Sequence, residues 1–337
     1  NNFLTVIGAG LAGSEAAWQA AERGVKVILY EMRPVTATPA HKTENCAELV
    51  CSNSLGNNLA YSAPFILKEE LRSFNSIIID SGDNNSVPAG SALAVDRDLF
   101  AQEVTAKLSN HPNITIKREE VVEIPPEGPV IIATGPLTSP RLSEQISKLI
   151  GQEYLYFYDA LSPIVNAATI DYDKAFFASR YDKGDADYLN CPMNVSQYYE
   201  FVRELKASDK VSLSSFEKPI YFEGCMPIEV LAERGDRTLA FGPLKPVGLP
   251  DPKTGTLAHA VVQLRRENKE SSAFNLVGFQ TKLTYPEQKR IFSKIPGLEN
   301  AEFFRFGAIH RNTYINSPSL LNNELELLSR PGTYFAG

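Results

Sequence analysis

A complete strand–helix–strand unit opens this chain, and it limits the folds that the remaining residues can adopt. Residues 3–7 form an apolar, β-branched run that is typical of a buried parallel strand. A glycine-rich segment follows at residues 8–13, and the alanine-rich stretch 14–23 predicts a helix. A second strand is predicted at residues 25–30, with Glu31 at its carboxyl end. This order predicts an α/β fold with a doubly wound, Rossmann-type sheet.

The glycine segment fits the G-x-G-x-x-G pattern of dinucleotide-binding turns. Gly8 permits the tight turn, Gly10 lets the backbone approach a pyrophosphate, and Gly13 lets helix and strand pack closely. Glu31 is placed to accept hydrogen bonds from a ribose diol. The alternative is a turn whose glycines serve packing alone. The unit as a whole favours a bound adenine dinucleotide, and the residues assigned to it are Gly8, Ala9, Gly10, Leu11, Ala12, Gly13 and Glu31.

Two later strand ends bear on which dinucleotide binds. Residues 130–135 form an apolar strand that ends in a small-residue turn at Gly135. In flavoproteins with two dinucleotide folds such a strand brings the chain back past the flavin, and this analogy favours FAD over NAD. Residues 333–337 again read as a strand followed by a glycine, like a βα unit cut at its turn. Gly337 is therefore assigned to the same site, and the sequence is expected to be incomplete after it.

Composition and charge argue against several classes of protein. The 337 residues carry a formal net charge of −7, which argues against a nucleic-acid binder with a large basic face. No apolar stretch reaches membrane-spanning length, so we expect a cytoplasmic protein that does not enter a membrane. The four cysteines include no C-x-x-C pair, so neither a disulfide framework nor a metal site is predicted.

The pattern of elements predicts two domains in three segments. Residues 1–150 and 275–337 are predicted to form an FAD-binding domain, interrupted by an α+β insertion domain at residues 151–274. Residues 33–61 are too long for an ordinary connection, and long ordered loops are commonly functional. Further helices are predicted at residues 63–74, 94–108, 195–205 and 285–293, and further strands at 113–117, 119–124, 303–306 and around 220, 238 and 261.

Five long segments carry a family resemblance: HKTENCAELVCSNSLG (41–56), VPAGSALAVDR (87–97), RYDKGDADYLNCP (180–192), FEGCMPIE (222–229) and GAIHRN (307–312). In these segments the chain resembles the bacterial folate- and FAD-dependent tRNA uracil-C5 methyltransferases, and the resemblance runs from residue 6 to residue 337. The FAD enzyme that carboxymethylaminomethylates the tRNA wobble uridine is a sibling. The resemblance implies methylation of the T-loop uridine of tRNA. It also implies methylenetetrahydrofolate as carbon donor and NAD(P)H as reductant of the FAD.

The implied reaction needs two reactive groups. A thiolate that adds to uracil C6 turns C5 into a carbon nucleophile, and a base must later remove the C5 proton so that the thiolate can leave. Two thiols can serve as nucleophile and base. The resemblance selects Cys51 and Cys225 as this catalytic pair, without deciding which takes which role. Cys46 and Cys191 are interpreted as packing residues.

Other roles follow from the resemblance more weakly. It implies that His310 lies over the flavin face and stacks on the folate pterin. Arg97 and Lys282 are weaker candidates for phosphate or folate contacts, since such residues are more often simply surface charges. No stable protein partner is implied. Two alternatives stay open: an FAD-dependent oxidoreductase that acts on a small molecule, and a non-catalytic flavin- and tRNA-binding protein.

Overall fold

The computed structural model describes residues 3–38, 40–126, 128–152, 155–182, 185–212 and 220–337. Residues 183 and 184 of the third resemblance segment, and Tyr154 near the predicted start of the insertion, lie outside this part. The strands are Phe3–Ile7 (β1), Lys26–Tyr30 (β2), Ser54–Asn57 (β3), Ser86–Val87 (β4), Ala92–Val95 (β5), Ile114–Lys117 (β6), Val130–Ile132 (β7), Leu155–Ala160 (β8), Ile164–Asn166 (β9), Phe176–Ala178 (β10), Tyr188–Met193 (β11), Ala260–Arg266 (β12), Ala273–Leu276 (β13), Phe303–Arg305 (β14), Ile309–Tyr314 (β15) and Thr333–Phe335 (β16).

Ten helices lie between these strands among the described residues. They are Leu11–Glu22 (α1), Ala63–Ser73 (α2), Ile77–Asn84 (α3), Arg97–Asn110 (α4), Pro140–Ile150 (α5), Val195–Ala207 (α6), Ile228–Glu233 (α7), Thr238–Phe241 (α8), Tyr285–Phe292 (α9) and Ser317–Leu320 (α10). Short 3₁₀ turns lie at Gly135–Leu137, Ala167–Thr169, Arg180–Asp182 and Glu223–Cys225. Among the described residues, no helix is both long and apolar enough to cross a bilayer.

A five-stranded parallel sheet in the order β16-β7-β1-β2-β6 forms the first layer. One face packs on α1 and α4, where Val6, Leu29 and Phe100 are fully buried in one cluster. The other face packs on α5 through Leu142 and Ile146. Because all five strands run the same way, their carboxyl ends meet at one edge, where doubly wound sheets bind ligands. The predicted doubly wound, Rossmann-type fold is confirmed.

The second layer is a six-stranded sheet in the order β10-β11-β12-β13-β9-β14, with antiparallel pairing throughout. Its core is aromatic: Phe279 contacts both Phe201 of α6 and Phe292 of α9. β8 and β15 form a separate antiparallel ribbon in which His310 is paired directly with Asp159. A small three-stranded sheet, β3-β5-β4, completes the described strands.

Sheet membership differs from the predicted division of the chain at residue 275. β13 spans that position, and β14 also joins the six-stranded sheet, whereas β15 pairs with β8. Of the strands after residue 276, only β16 joins the parallel sheet among the described residues. The reason is packing, because α9 buries Ile291 and Phe292 in the same core as α6.

The clearest boundary error has a local cause. The helix predicted from residue 94 begins at Arg97, because the Asp96 side chain caps it by accepting hydrogen bonds from the Asp98 and Leu99 N–H groups at 3.2 and 3.1 Å. The residues before the cap form β5 instead. The backbone of the cap residue is extended, so the cap locates the start of the helix more precisely than the spacing of apolar residues does.

Other expected elements also changed type. The described residues 119–124 contain no strand, and the strand expected near residue 238 is the helix α8. Among the residues from 220 onward that the structure describes, a single bridge, Tyr158 with Tyr221, stands where the strand near residue 220 was expected. Helix α3 has no counterpart in the prediction, because its short run of three isoleucines lacks helical spacing.

The glycine turn after β1 is packed as the sequence pattern requires. Gly8 has φ +98°, a left-handed conformation that side chains rarely adopt. A Cβ on Gly13 would lie 1.8 Å from the Gly8 carbonyl oxygen, whereas a Cβ on Gly10 would meet nothing within 4 Å. Gly13 therefore serves the fold, and Gly10 leaves space for something that is not protein.

This difference predicts a contrast between two matched substitutions. Gly13→Ala should destabilise the ligand-free protein by about 1–3 kcal/mol or more, since the turn must move to admit a methyl group. Gly10→Ala should cost less, about 0.5–1 kcal/mol, because its methyl group meets nothing and only the preference for glycine over alanine at the N-cap of α1 is lost. Urea unfolding of the two variants measures both values. Equal stability of the two variants would contradict the assignment of Gly13 to packing.

Candidate active site

A cleft of ≈ 300 Å³, open to solvent, lies at the carboxyl edge of the parallel sheet. Its volume lies at the lower end of the range of small-molecule sites. It is where the strand order places a ligand, beside the ends of β1, β2, β7 and β16. Of the residues assigned to a dinucleotide from the sequence, those on its wall are Gly8, Gly10, Leu11, Ala12, Glu31, Gly135 and Gly337.

The other two assigned residues lie beneath the cleft. Ala9 is fully buried, its N–H donates to Glu31 at 3.1 Å, and its carbonyl accepts from the Ala47 N–H at 2.8 Å. Gly13 is buried in the first turns of α1. The turn thus separates into residues that shape it and residues that face the cleft.

Glu31 is a buried carboxylate with most of its acceptor capacity in use. One oxygen accepts the Ala9 N–H, and the other accepts the Arg33 backbone N–H at 3.0 Å and its Nε at 2.8 Å. Burial raises the pKa of the Glu31 carboxyl, but the Arg33 and Ala9 hydrogen bonds outweigh it, so the pKa is lowered overall. A carboxylate has about four acceptor positions, so Glu31 retains room for a ribose hydroxyl.

The loop after Glu31 is organised by a second carboxylate. Glu48 accepts hydrogen bonds from the Lys42 and Thr43 backbone N–H groups at 2.7 and 3.0 Å. It also pairs with Arg33 at 2.9 Å. The loop that carries Cys51 is therefore tied to the same arginine that holds Glu31.

Arg97 fixes the next part of this loop. Its guanidinium pairs with Glu267 at 2.6 Å and donates to the carbonyls of Leu49 at 2.7 Å and Cys51 at 3.4 Å. Its donors are thus occupied by protein, so the phosphate or folate contact suggested for Arg97 has no support in this geometry. Arg97 instead holds the backbone on which Cys51 stands.

Two more arginines approach the loop from the second layer. Arg265 donates to the Ser52 hydroxyl at 2.7 Å, and Arg305 donates to the Val50 carbonyl at 3.3 Å. Burial, together with the charge of Arg97, lowers the pKa of Arg305 to about 10, so it remains a cation at neutral pH. The loop is thus hydrogen-bonded to arginines of both layers, and the positive charge of these arginines lies near Cys51.

Cys225 reaches the site on a short turn of its own. It ends the 3₁₀ turn Glu223–Cys225, and α7 begins three residues later. The fully buried Glu229 of α7 accepts the Thr281 hydroxyl at 2.9 Å and the Lys282 N–H at 2.7 Å, which anchors the turn. Lys282 itself donates from Nζ to the Tyr221 hydroxyl at 2.7 Å.

The fold brings Cys51 and Cys225 together. Their sulfur atoms and a carboxylate oxygen of Asp159 all lie within 4.8 Å of one another, and all three residues are half-buried. Both thiols are free. Cys46 and Cys191 are fully buried elsewhere, as expected of packing residues. The cluster thus consists of two thiols beside a carboxylate.

The two thiols ionise as a pair. The hydrogen bond with Cys225 lowers the pKa of Cys51, although burial and Asp159 oppose the shift. The same contact, with burial and the negative charges of Cys51 and Asp159, raises the pKa of Cys225. The pair therefore loses its first proton readily and holds its second tightly. After losing one proton, the pair consists of one thiolate and one thiol.

His310 lies beside this cluster, with its side chain largely buried. Its Nε2 is 4.0 Å from Asp159, and its Nδ1 is buried without a hydrogen-bond partner among the described residues. Burial lowers the pKa of His310, and Asp159 opposes the shift in part. His310 is absent from the cleft wall, so stacking on a folate stays a prediction.

Asp159 and Arg305 were missed by the sequence interpretation. Asp159 lies in a Tyr- and Phe-rich run that indicates a packing strand, and no motif spacing marks it. Arg305 likewise sits between phenylalanines. Asp159 is recognised as a site residue only in the structure, where it pairs with His310 across the ribbon and lies near both sulfur atoms.

Known proteins share this architecture and sequence. Residues 4–337 match the family model described as Glucose inhibited division protein A. The chain is 60% identical to the methylenetetrahydrofolate–tRNA-(uracil-5-)-methyltransferase TrmFO of Heliobacterium modesticaldum, over 99% of this chain and 76% of that protein. It is 58% identical to TrmFO of Listeria innocua, over 99% of this chain and 77% of that protein. The chain belongs to the TrmFO family. The family resemblance inferred from five motifs is confirmed.

A solved structure shows the TrmFO-family fold in a more distant protein. GidA of Aquifex aeolicus superposes with a TM-score of 0.72 at 18% identity, covering 99% of this chain and 59% of GidA. At that identity the likeness concerns the fold. It agrees with a parallel dinucleotide sheet joined to a second layer.

The thiol pair makes a prediction about reactivity. Thiolates, not thiols, react with iodoacetamide, so the pair should be alkylated at lower pH than an ordinary cysteine. Cys225→Ala should raise the pKa of Cys51, because the hydrogen bond that lowers it is lost. Cys51→Ala should lower the pKa of Cys225. Alkylation rates against pH, with peptide mapping, measure both. Independent titration of the two thiols would contradict the pairing.

Proposed function

We propose that this chain methylates C5 of uracil in tRNA, taking the carbon from methylenetetrahydrofolate with FAD as cofactor. The observation that carries the proposal is the meeting of Cys51 and Cys225 beside a dinucleotide-type cleft. Val50 lies on the cleft wall, and the next residue contributes its thiol to the pair. Membership of the TrmFO family supports the same reaction.

The cleft fits FAD by its shape and donors. Gly10 leaves open space at the start of α1, where a pyrophosphate can approach backbone N–H groups. Glu31 retains acceptor capacity for a ribose, and Gly135 and Gly337 present backbone without side chains to the cleft. When bound, the flavin supplies the redox chemistry that a one-carbon unit needs to become a methyl group.

The protein groups then handle the uracil. One thiolate adds to C6 and pushes electron density to C5, which can accept the new carbon. A second group must remove the C5 proton, after which the C5–C6 double bond reforms and the thiolate leaves. Two thiols in mutual contact can divide these roles, and Arg97 and Arg305 favour a thiolate at Cys51.

Finer parts of the account remain our proposals. They are the choice of the T-loop uridine, NAD(P)H as the reductant, stacking of His310 on folate, and a cytoplasmic location. The division into an FAD-binding domain at residues 1–150 and 275–337 and an insertion at 151–274 is a further proposal. The six-stranded sheet crosses its second boundary.

Label transfer tests the proposal directly. Labelled methylenetetrahydrofolate should pass its carbon to C5 of uridine in unmodified tRNA. Cys51→Ala and Cys225→Ala should each lower the rate by about 10²–10⁴-fold, because each removes one of two required steps. Flavin absorbance should persist in both variants, since neither thiol lies on the cleft wall. Cys46→Ala, a cysteine of the first core, is the matched control and should retain its rate.

The alternatives give different results. A small-molecule oxidoreductase would turn over its flavin without tRNA and without either thiol. A non-catalytic binder would hold tRNA but transfer no label. Methylation supported by S-adenosylmethionine alone would contradict folate as the donor.

A further inference from the structure

A carboxylate stands beside the thiol pair without an assigned role. Asp159 is the penultimate residue of β8, and its oxygen is within 4.8 Å of both sulfur atoms. The Cys225 sulfur has both the Cys51 sulfur and the Asp159 carboxylate as neighbours, and both raise the pKa of its thiol. A proton on either thiol therefore has an acceptor within reach that is not the other thiol.

Asp159 has polar neighbours on both strands of the ribbon. Its Oδ1 accepts the Ala160 N–H at 2.9 Å. Its Oδ2 lies 3.5 Å from the Asn312 amide nitrogen and 4.0 Å from His310 Nε2, both on the neighbouring strand β15. Three polar groups on two strands thus lie around the carboxylate, which is itself within 4.8 Å of both sulfur atoms.

The two-thiol reaction leaves a proton without a destination. The pair holds one thiolate and one thiol, and the thiolate is consumed when it adds to C6. The remaining thiol still carries its proton, so it cannot yet act as a base toward C5. That proton must leave before the second step.

We propose that Asp159 accepts this proton and so converts the second thiol into the thiolate that removes the C5 proton. The inference rests on the proposed function and holds for either assignment of the two cysteines. Asp159 acts through the thiol pair and positions its protons.

In this step the S–H bond of the second thiol breaks and an O–H bond forms on Asp159. The new thiolate takes the C5 proton, the C5–H electron pair rebuilds the C5–C6 double bond, and the C6–S bond breaks to release the first thiolate. Bonding of the first sulfur to C6 removes a negative charge beside the second thiol, which eases its ionisation at that stage.

Nearby charged groups set the pH dependence. Arg97 and Arg305 face Cys51 and favour its thiolate, and His310 faces Asp159 from β15. Asp159 itself disfavours a thiolate at either cysteine by charge repulsion. Loss of its charge should therefore make the thiols more acidic, whatever happens to turnover.

Asp159→Asn tests the inference, because asparagine has nearly the same shape but cannot take a proton. In flavin-free protein, iodoacetamide should alkylate the pair at lower pH than in the wild type. In the flavin-loaded protein with folate, tritium release from tRNA carrying [5-³H]uridine should fall at least tenfold. The covalent adduct with 5-fluorouridine tRNA should still form. Faster thiol chemistry combined with slower proton removal is a signature that a merely distorted site would not give.

Asp173→Asn is the matched control, an exposed aspartate on the loop after β9, and it should match the wild type in every assay. Wild-type tritium release by Asp159→Asn would overturn the role of Asp159 alone. Alkylation that shifts to higher pH, or loss of adduct and release together, would also overturn it. If the wild type releases no tritium and transfers no label, the proposed function itself fails.

Discussion

The buried ion pair between Arg97 and Glu267 is the contact on which the candidate site depends. It joins α4 of the parallel-sheet layer to the end of β12 in the second layer. The remaining N–H groups of Arg97 hold the carbonyls of residues 49–51. Removing one partner of a buried pair typically costs about 3–5 kcal/mol, because the other charge is left unpaired. The Arg97 guanidinium therefore holds the two layers together and positions the backbone of Cys51 between them.

The same loop connects the cofactor cleft with the thiols. Arg33 ties Glu31, on the wall of the cleft, to Glu48 within the loop. Val50 lies on the cleft wall, and Cys51 meets Cys225 on the side of the second layer. A dinucleotide in the cleft and a base at the thiols would therefore contact neighbouring residues of one ordered segment. This arrangement explains why the loop is long and why it is rich in side-chain-to-backbone hydrogen bonds.

The sequence predicted the parts of the fold that depend on local patterns. The first strand–helix–strand unit was predictable because glycine spacing, apolar runs and Glu31 all act within one short segment. The cysteine pair was identified only by family resemblance, since its two members come from opposite layers. Asp159 was missed because its neighbours indicate a packing strand, and the role of Arg97 was misassigned because its partners, Glu267 and three carbonyls, are distant in sequence. The sequence also did not predict that β13 and β14 belong to the six-stranded sheet, because strand pairing depends on contacts between residues that are distant in sequence.

The central claim is that Cys51 and Cys225 form one dithiol in the folded protein, and a trivalent arsenical tests it most directly. Phenylarsine oxide binds two adjacent thiols through a single arsenic atom. Native protein should bind one equivalent, bridging these two cysteines in a peptide map, and either Cys→Ala variant should lose the bridge. The fully buried Cys46 and Cys191 should stay unmodified. Separate labelling of the two thiols, or no bridge at all, would contradict the account.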